Sequence, residues 1–175
     1  MKRVLFFALL YIGVCQLVSA QTLKKYTIGK SGCSAYFFCN PGTFEITHSP
    51  DSSVVYTGEC KDGVVTYDLI CVQLKEKIAD LKDAEQVLEQ YLDYIKSSFG
   101  IEAAAGYGKG HRLRGKEDTR GMIDYWKDKE KNNLNVKGWT NGQYIVVLMA
   151  ISDKEIPFEK GNVFLDGIVF PEAKK

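Results

Sequence analysis

The chain has 175 residues, with 23 Lys or Arg against 22 Asp or Glu, and a net charge of +1 at neutral pH. That balance gives no electrostatic footprint for nucleic acid or for an anionic membrane surface. Hydrophobic residues make up 45% of the chain, so a disordered class is excluded and one domain with a full core is expected.

Residues 1–20, MKRVLFFALLYIGVCQLVSA, open with Lys2 and Arg3, run apolar from Val4 to Val14 and end in Val18-Ser19-Ala20. A charged start, a short apolar run and small residues before a cut predict a signal peptide cleaved between Ala20 and Gln21. Cleavage removes two of the basic residues and no acidic one, leaving 21 against 22 and a net charge of −1. The expected mature chain is a single domain over 21–175, exported to the periplasm or secreted. A lipid anchor through Cys15 is the alternative, disfavoured by Val14 where a small residue is required. No later apolar run is long enough to span a bilayer; the longest, Tyr144 to Ile151, reads as a buried strand.

Four cysteines remain after cleavage: Cys33, Cys39, Cys60 and Cys71. An even number in an exported chain predicts two disulfides, with three connectivities. The spacings lack the paired CxxC of a zinc site, and the other reading is small buried thiols.

In chain order, Leu23 to Ile28 and Ala35 to Cys39 read as strands, the second stopped by Asn40-Pro41-Gly42. Thr43 to His48 alternates apolar and polar and ends at Ser49-Pro50. Val54 to Cys60 and Val64 to Leu74 flank Asp62-Gly63, a two-residue hairpin signal. In that register Cys60 faces Val65 and Cys71 faces Val54. Cys33 and Cys39, at the two ends of an extended strand, sit about 20 Å apart, beyond disulfide reach. Regular strands therefore favour bonds between the early pair and the hairpin pair.

Leu81 to Phe99 is the one long helix. Asp80 is its N-cap and Gly100 its stop. Leu81, Ala84, Leu88, Tyr91 and Ile95 form its apolar stripe. Strand-like runs follow at Glu102 to Arg114, Gly121 to Lys129, Asn135 to Thr140 and Gln143 to Ile151, with Asn141-Gly142 as a second hairpin signal. Pro157 opens a short helix to about Asp166, and Ile168 to Phe170 is a last strand. The predicted fold class is α+β: a mostly antiparallel sheet flanked by one long helix and one short helix.

The aromatic strand of Ala35 to Pro41, the hairpin, the helix of 81–99, the meander ending QYIVVLMAIS and the closing FLDGIVFP together resemble the Mog1/PsbP-like fold, including the exported DcrB-like proteins of bacteria. The resemblance covers about residues 24–171. It implies an α/β/α sandwich and an accessory, assembly or binding role rather than an enzyme. It carries no site motif, so no residue inherits a role from it.

The most unusual segment is AAAGYGKGHRLRGKEDTRG, residues 103–121. Gly106, Gly108 and Gly110 alternate with Tyr107 and Lys109, and His111, Arg112 and Arg114 follow. Exposed N–H groups beside basic side chains make a candidate cradle for a phosphate, sulfate or carboxylate. The alternative is a glycine-rich edge with solvated charges. Neither a P-loop nor a dinucleotide fingerprint is present. Tyr125, Trp126 and Trp139 on neighbouring strands are a candidate aromatic platform, set against ordinary core packing.

His48 and His111 are the only histidines, and neither stands in a nucleophile motif. Asp118, Asp124, Asp128 and Glu130 offer carboxylate pairs with no informative spacing. No cofactor and no metal signature is read. The expectation is an exported accessory or binding module that recognises a small ligand or an envelope protein partner without catalysis. An envelope hydrolase using His111 or paired carboxylates is one alternative, and a structural or assembly subunit of an envelope complex is the other.

Overall fold

A computed structural model describes residues 22–172. The predicted leader, Cys15 and the Ala20–Gln21 cleavage point lie outside the described residues. The elements in order are β1 Lys24–Thr27, β2 Ser34–Phe37, β3 Glu45–His48, β4 Val54–Asp62, β5 Val65–Gln73, α1 Leu81–Ser98, β6 Ile101–Ala104, β7 Gly108–His111, β8 Arg120–Asp128, β9 Asn133–Thr140, β10 Tyr144–Ser152, α2 Phe158–Leu165 and β11 Ile168–Val169. A short 3-10 turn at Leu113–Gly115 precedes β8. Among the described residues no helix is long and apolar enough to cross a membrane.

The fold is α+β with antiparallel sheets and two helices, one longer, as expected. It differs from the single expected sheet. β1, β2 and β11 form their own three-stranded sheet, and the larger sheet runs β3-β4-β5-β10-β9-β8-β6, with β7 also on β8. The reason lies in the central strands. β10 is buried at Tyr144–Ala150 without alternation, so both its faces need cover. Leu88, Leu92 and Ile95 of α1 pack with Ile145, Val147, Met149, Leu134 and Val136 on one face. On the other, Val146, Leu148 and Ala150 meet Phe37 of β2, Phe164 of α2 and Ile168 of β11. The small sheet and α2 thus form the second layer.

α1 starts and stops where the sequence places it. The Asp80 carboxylate accepts from the Lys82 and Asp83 amides, and Gly100 takes a φ of 62° behind Phe99. Its buried stripe is Ala84, Leu88, Leu92 and Ile95; Leu81 and Tyr91 are half-buried flanks. Gly138 on β9 admits this helix closely, since a Cβ there would stand 2.7 Å from Leu88.

Both hairpins differ from their expected registers. The closest pair in the first is Asp62 and Val65, so Gly63-Val64 forms the turn. Gly63 has a φ of 62° while Val64 does not enter the left-handed region; this is the type II′ pattern, with glycine first. Cys60 consequently faces Tyr67, and Cys71 faces Tyr56. In the second hairpin the closest pair is Thr140 and Ile145. The Asn141 carboxamide accepts from the Gln143 and Tyr144 amides, and this side-chain turn replaces the two-residue loop.

The expected link between the early cysteines and the hairpin is present as Cys39–Cys60. The second expected disulfide is not formed: Cys33 and Cys71 are buried thiols.

One buried carboxylate holds the outer strands together. Asp124 on β8 is 1% exposed. It accepts from the Gly106 amide at 2.9 Å, the Tyr125 amide at 2.8 Å and the Trp126 indole at 2.6 Å. Asp124→Ala strands those donors and is expected to cost about 3 kcal/mol, read as a fall in midpoint at unchanged m-value in urea unfolding.

Candidate functional site

The glycine-rich segment does not lie open. β6 and β7 both pair with β8, and the residues between them fold toward α1. Glu85, Glu89 and Asp93 recur every four residues on that helix and so form one acidic ridge. The Gly110 amide donates to Glu85 at 3.0 Å, Lys109 Nζ meets Glu89 at 2.6 Å, and the Tyr107 hydroxyl donates to Asp93 at 2.8 Å. Lys96 pairs with Asp93 and stands 4.2 Å from the centre of the Tyr107 ring. Lys96 and then Tyr107 hold the Asp93 carboxyl below its usual range. Burial and the bond to Asp93 raise the Tyr107 phenol.

The remaining members are also engaged. Gly106 donates to Asp124, Arg112 pairs with Glu117, and Arg114 donates to the Asp166 carbonyl at 2.8 Å. Gly108 and His111 are exposed on β7. The anions this segment cradles are therefore carboxylates of its own chain. The Glu85-Glu89-Asp93 spacing was the available signal.

The three aromatics are not brought together. Trp126 faces α1 and is buried. Trp139 points to the opposite face, where its indole donates to the Leu165 carbonyl at 2.8 Å and its ring lies over Gly121. Tyr125 shares that face but pairs with Asn135, four residues along β9 from Trp139, and is 54% exposed. The histidines are equally separate. His48 is on β3 at one edge of the large sheet, and His111 is on β7 beside β8 at the other, about 29 Å away across six strand spacings. Of the acidic candidates, Asp124 is saturated as described. Asp128 accepts from the backbone and side chain of Asn132 within a turn. Among the described residues no three metal-ligating side chains gather.

Two hollows bear on the site. One, about 680 Å³, is an open groove at the β6-β8-β9 margin of the large sheet. The small side chains of Ala103, Ala104 and Ala105 leave it room. Tyr125, Asn133 and Asn135 supply one aromatic face and two carboxamides, and Glu155 and Ile156 close the far wall. The groove sits at the edge of the α2 layer: Asn135 lies close to Gly161 of α2, while Tyr125 is left exposed.

The second, about 440 Å³, lies on the α1 face of β3-β4-β5 beside Phe99. It contains Glu45, Glu59 and Asp68. Glu59 and Asp68 are directly opposed on β4 and β5, an arrangement that is unfavourable for two charges. Burial, and then Glu59, push the Asp68 carboxyl up to about 6. This pair was not read from the sequence, because the register that opposes it depends on which two residues make the turn.

No family model matches the chain, and no curated protein matches it.

The raised Asp68 favours the protonated folded state. Its contribution is fully present below about pH 4 and is lost as the pH rises through about 6. Asp68→Asn is therefore expected to stabilise the fold at pH 7.5 by about 2 kcal/mol and to have no effect near pH 3.5, measured by urea unfolding at both pH values.

Proposed function

We propose that this chain is an exported accessory or binding module that recognises a small ligand or an envelope protein partner, and that recognition rather than catalysis is its work. The observation that carries this reading is the groove of about 680 Å³ with its exposed Tyr125 and half-buried Asn133 and Asn135. An aromatic face beside carboxamides suits hydrogen-bonding ligands of modest polarity, such as a sugar or an extended peptide. The groove is built on strands, which keeps its side chains in place without a ligand. The Cys39–Cys60 disulfide is compatible with an oxidising compartment and so with export. The loose likeness in element order to Mog1/PsbP-like and DcrB-like exported proteins supports the same accessory role.

A second reading, an envelope hydrolase using paired carboxylates, draws on Glu59 and Asp68. A carboxyl raised to about 6 beside a second carboxyl is a pattern that acid–base chemistry uses. It requires that Asp68→Asn abolish a hydrolytic activity.

The deciding experiment is a native mass spectrum of the protein isolated from its own source without reductant. The expected result is a retained small-molecule mass or protein partner that is lost in Tyr125→Ala. A bare monomer, or a retained companion indifferent to Tyr125→Ala, contradicts recognition through this groove.

A further inference from the structure

We propose that Cys33 and Cys71 form a second redox pair that closes to a disulfide, fastening the turn before β2 onto the central strand β5. Both side chains are fully buried in the core between the two sheets. They belong to one core cluster, and the Cys33 side chain is the largest influence on the Cys71 thiol. The elements around them hold the Cys33 turn in place from several sides.

Cys33 ends a tight turn in which the Ile28 amide donates to the Cys33 carbonyl at 2.9 Å. The Ser31 hydroxyl bridges the turn, donating to the Ile28 carbonyl at 2.7 Å and accepting from the Cys33 amide at 3.0 Å. The Tyr144 hydroxyl, from the start of β10, donates to the Ser31 carbonyl at 2.8 Å. Gly29 lies against the Tyr56 ring so closely that a Cβ would stand 2.7 Å from it. Tyr56 is the residue opposite Cys71 on β4, and Val146 is opposite it on β10. The turn is thus clamped over Cys71 by β4 and β10, the two neighbours of β5.

Closure completes a pattern already half made. Cys39, just after β2, is bonded to Cys60 on β4. Cys33, just before β2, lies in the same core cluster as Cys71 on β5. The two bridges are nested and hold both ends of β2 to the large sheet. Because the inner bridge exists, the outer one constrains only the two short segments between them.

The chemistry balances with a low-molecular-weight disulfide, such as oxidised glutathione, as oxidant. Contact with Cys33 and burial keep the Cys71 thiol well above its ordinary range, so the pair is inert while the turn is seated. When the turn lifts, Cys33 is the sulfur that reaches solvent. Its thiolate attacks one sulfur of the oxidant, forming a mixed disulfide as the oxidant's S–S bond breaks and one glutathione thiolate leaves. On reseating, the Cys71 thiolate attacks Cys33 Sγ and the second glutathione leaves. The protein loses two electrons and two protons, and the oxidant takes them up as two thiols.

The test uses the whole chain, reduced, refolded in a glutathione redox buffer, trapped with N-ethylmaleimide in denaturant and mapped as unreduced peptides. The expected product is a Cys33–Cys71 cross-linked peptide beside Cys39–Cys60, with neither Cys33 nor Cys71 alkylated. Tm is expected to rise by roughly 5–10 °C over the form whose outer pair is reduced. Cys33→Ala is expected to keep Cys39–Cys60, leave Cys71 alkylated and show no such rise. Alkylation of both Cys33 and Cys71 in the refolded protein overturns the proposal. So does a linkage of either one to Cys39 or Cys60.

Discussion

β10 is apolar on both faces, and the remaining layers follow from that. A strand that buries Val146 and Leu148 on one side and Val147 and Met149 on the other cannot lie on a solvated sheet. Its two neighbours, β5 and β9, share the burden, and cover must come from two directions. α1 supplies one layer with a leucine and isoleucine stripe. Among the described residues there is no second long helix, so the other layer is assembled from α2, β11 and the β1–β2 pair, closed over the aromatic cluster of Phe37, Tyr67 and Phe164. The Cys39–Cys60 bridge and the buried Lys137, which meets both oxygens of Asp166 at 2.9 Å, tie this composite layer to the sheet.

Cover on both faces ends before the sheet does, and the hollows lie at that boundary. At the β6-β8-β9 margin α2 reaches Asn135 but leaves Tyr125 exposed. On the opposite face α1 packs chiefly against β8 and β9, and Glu59 and Asp68, opposed by the β4–β5 register, lie beside Phe99. Inside the covered region Asp124 is satisfied by the N–H donors around it, whereas the Tyr67 hydroxyl is buried without a partner. The open groove lies at this margin, whereas the donors of the glycine-rich segment already meet Glu85, Glu89 and Asp93.

Much of the element map is legible in the sequence because it rests on local signals. Asp80 and Gly100 bound α1 by capping chemistry, and the run from Tyr144 marks a buried strand by its length and lack of alternation. What was not legible is non-local. Separation of β1, β2 and β11 into their own sheet depends on which strands find partners across the core. The hairpin registers turn on whether Asp62 or Val64 joins Gly63 in the turn, and on the Asn141 side chain. A one-residue change in each strand of the first hairpin places Cys71 opposite Tyr56 and Glu59 opposite Asp68. The groove was less legible still: Tyr125 was read with Trp126 and Trp139, whereas its companions there are Asn133, Asn135 and the alanines of 103–105. Alanine and asparagine carry no motif that marks them as a lining.

Amide hydrogen exchange resolved residue by residue tests the central claim most directly. If two-sided burial of β10 organises the fold, the amides of Val146 to Ala150 exchange only through global unfolding and are the slowest in the chain, while those of Ala103 and Ala104 at the sheet margin exchange by local opening. Exchange at Val146 to Ala150 as fast as at Ala103 and Ala104 would contradict the account.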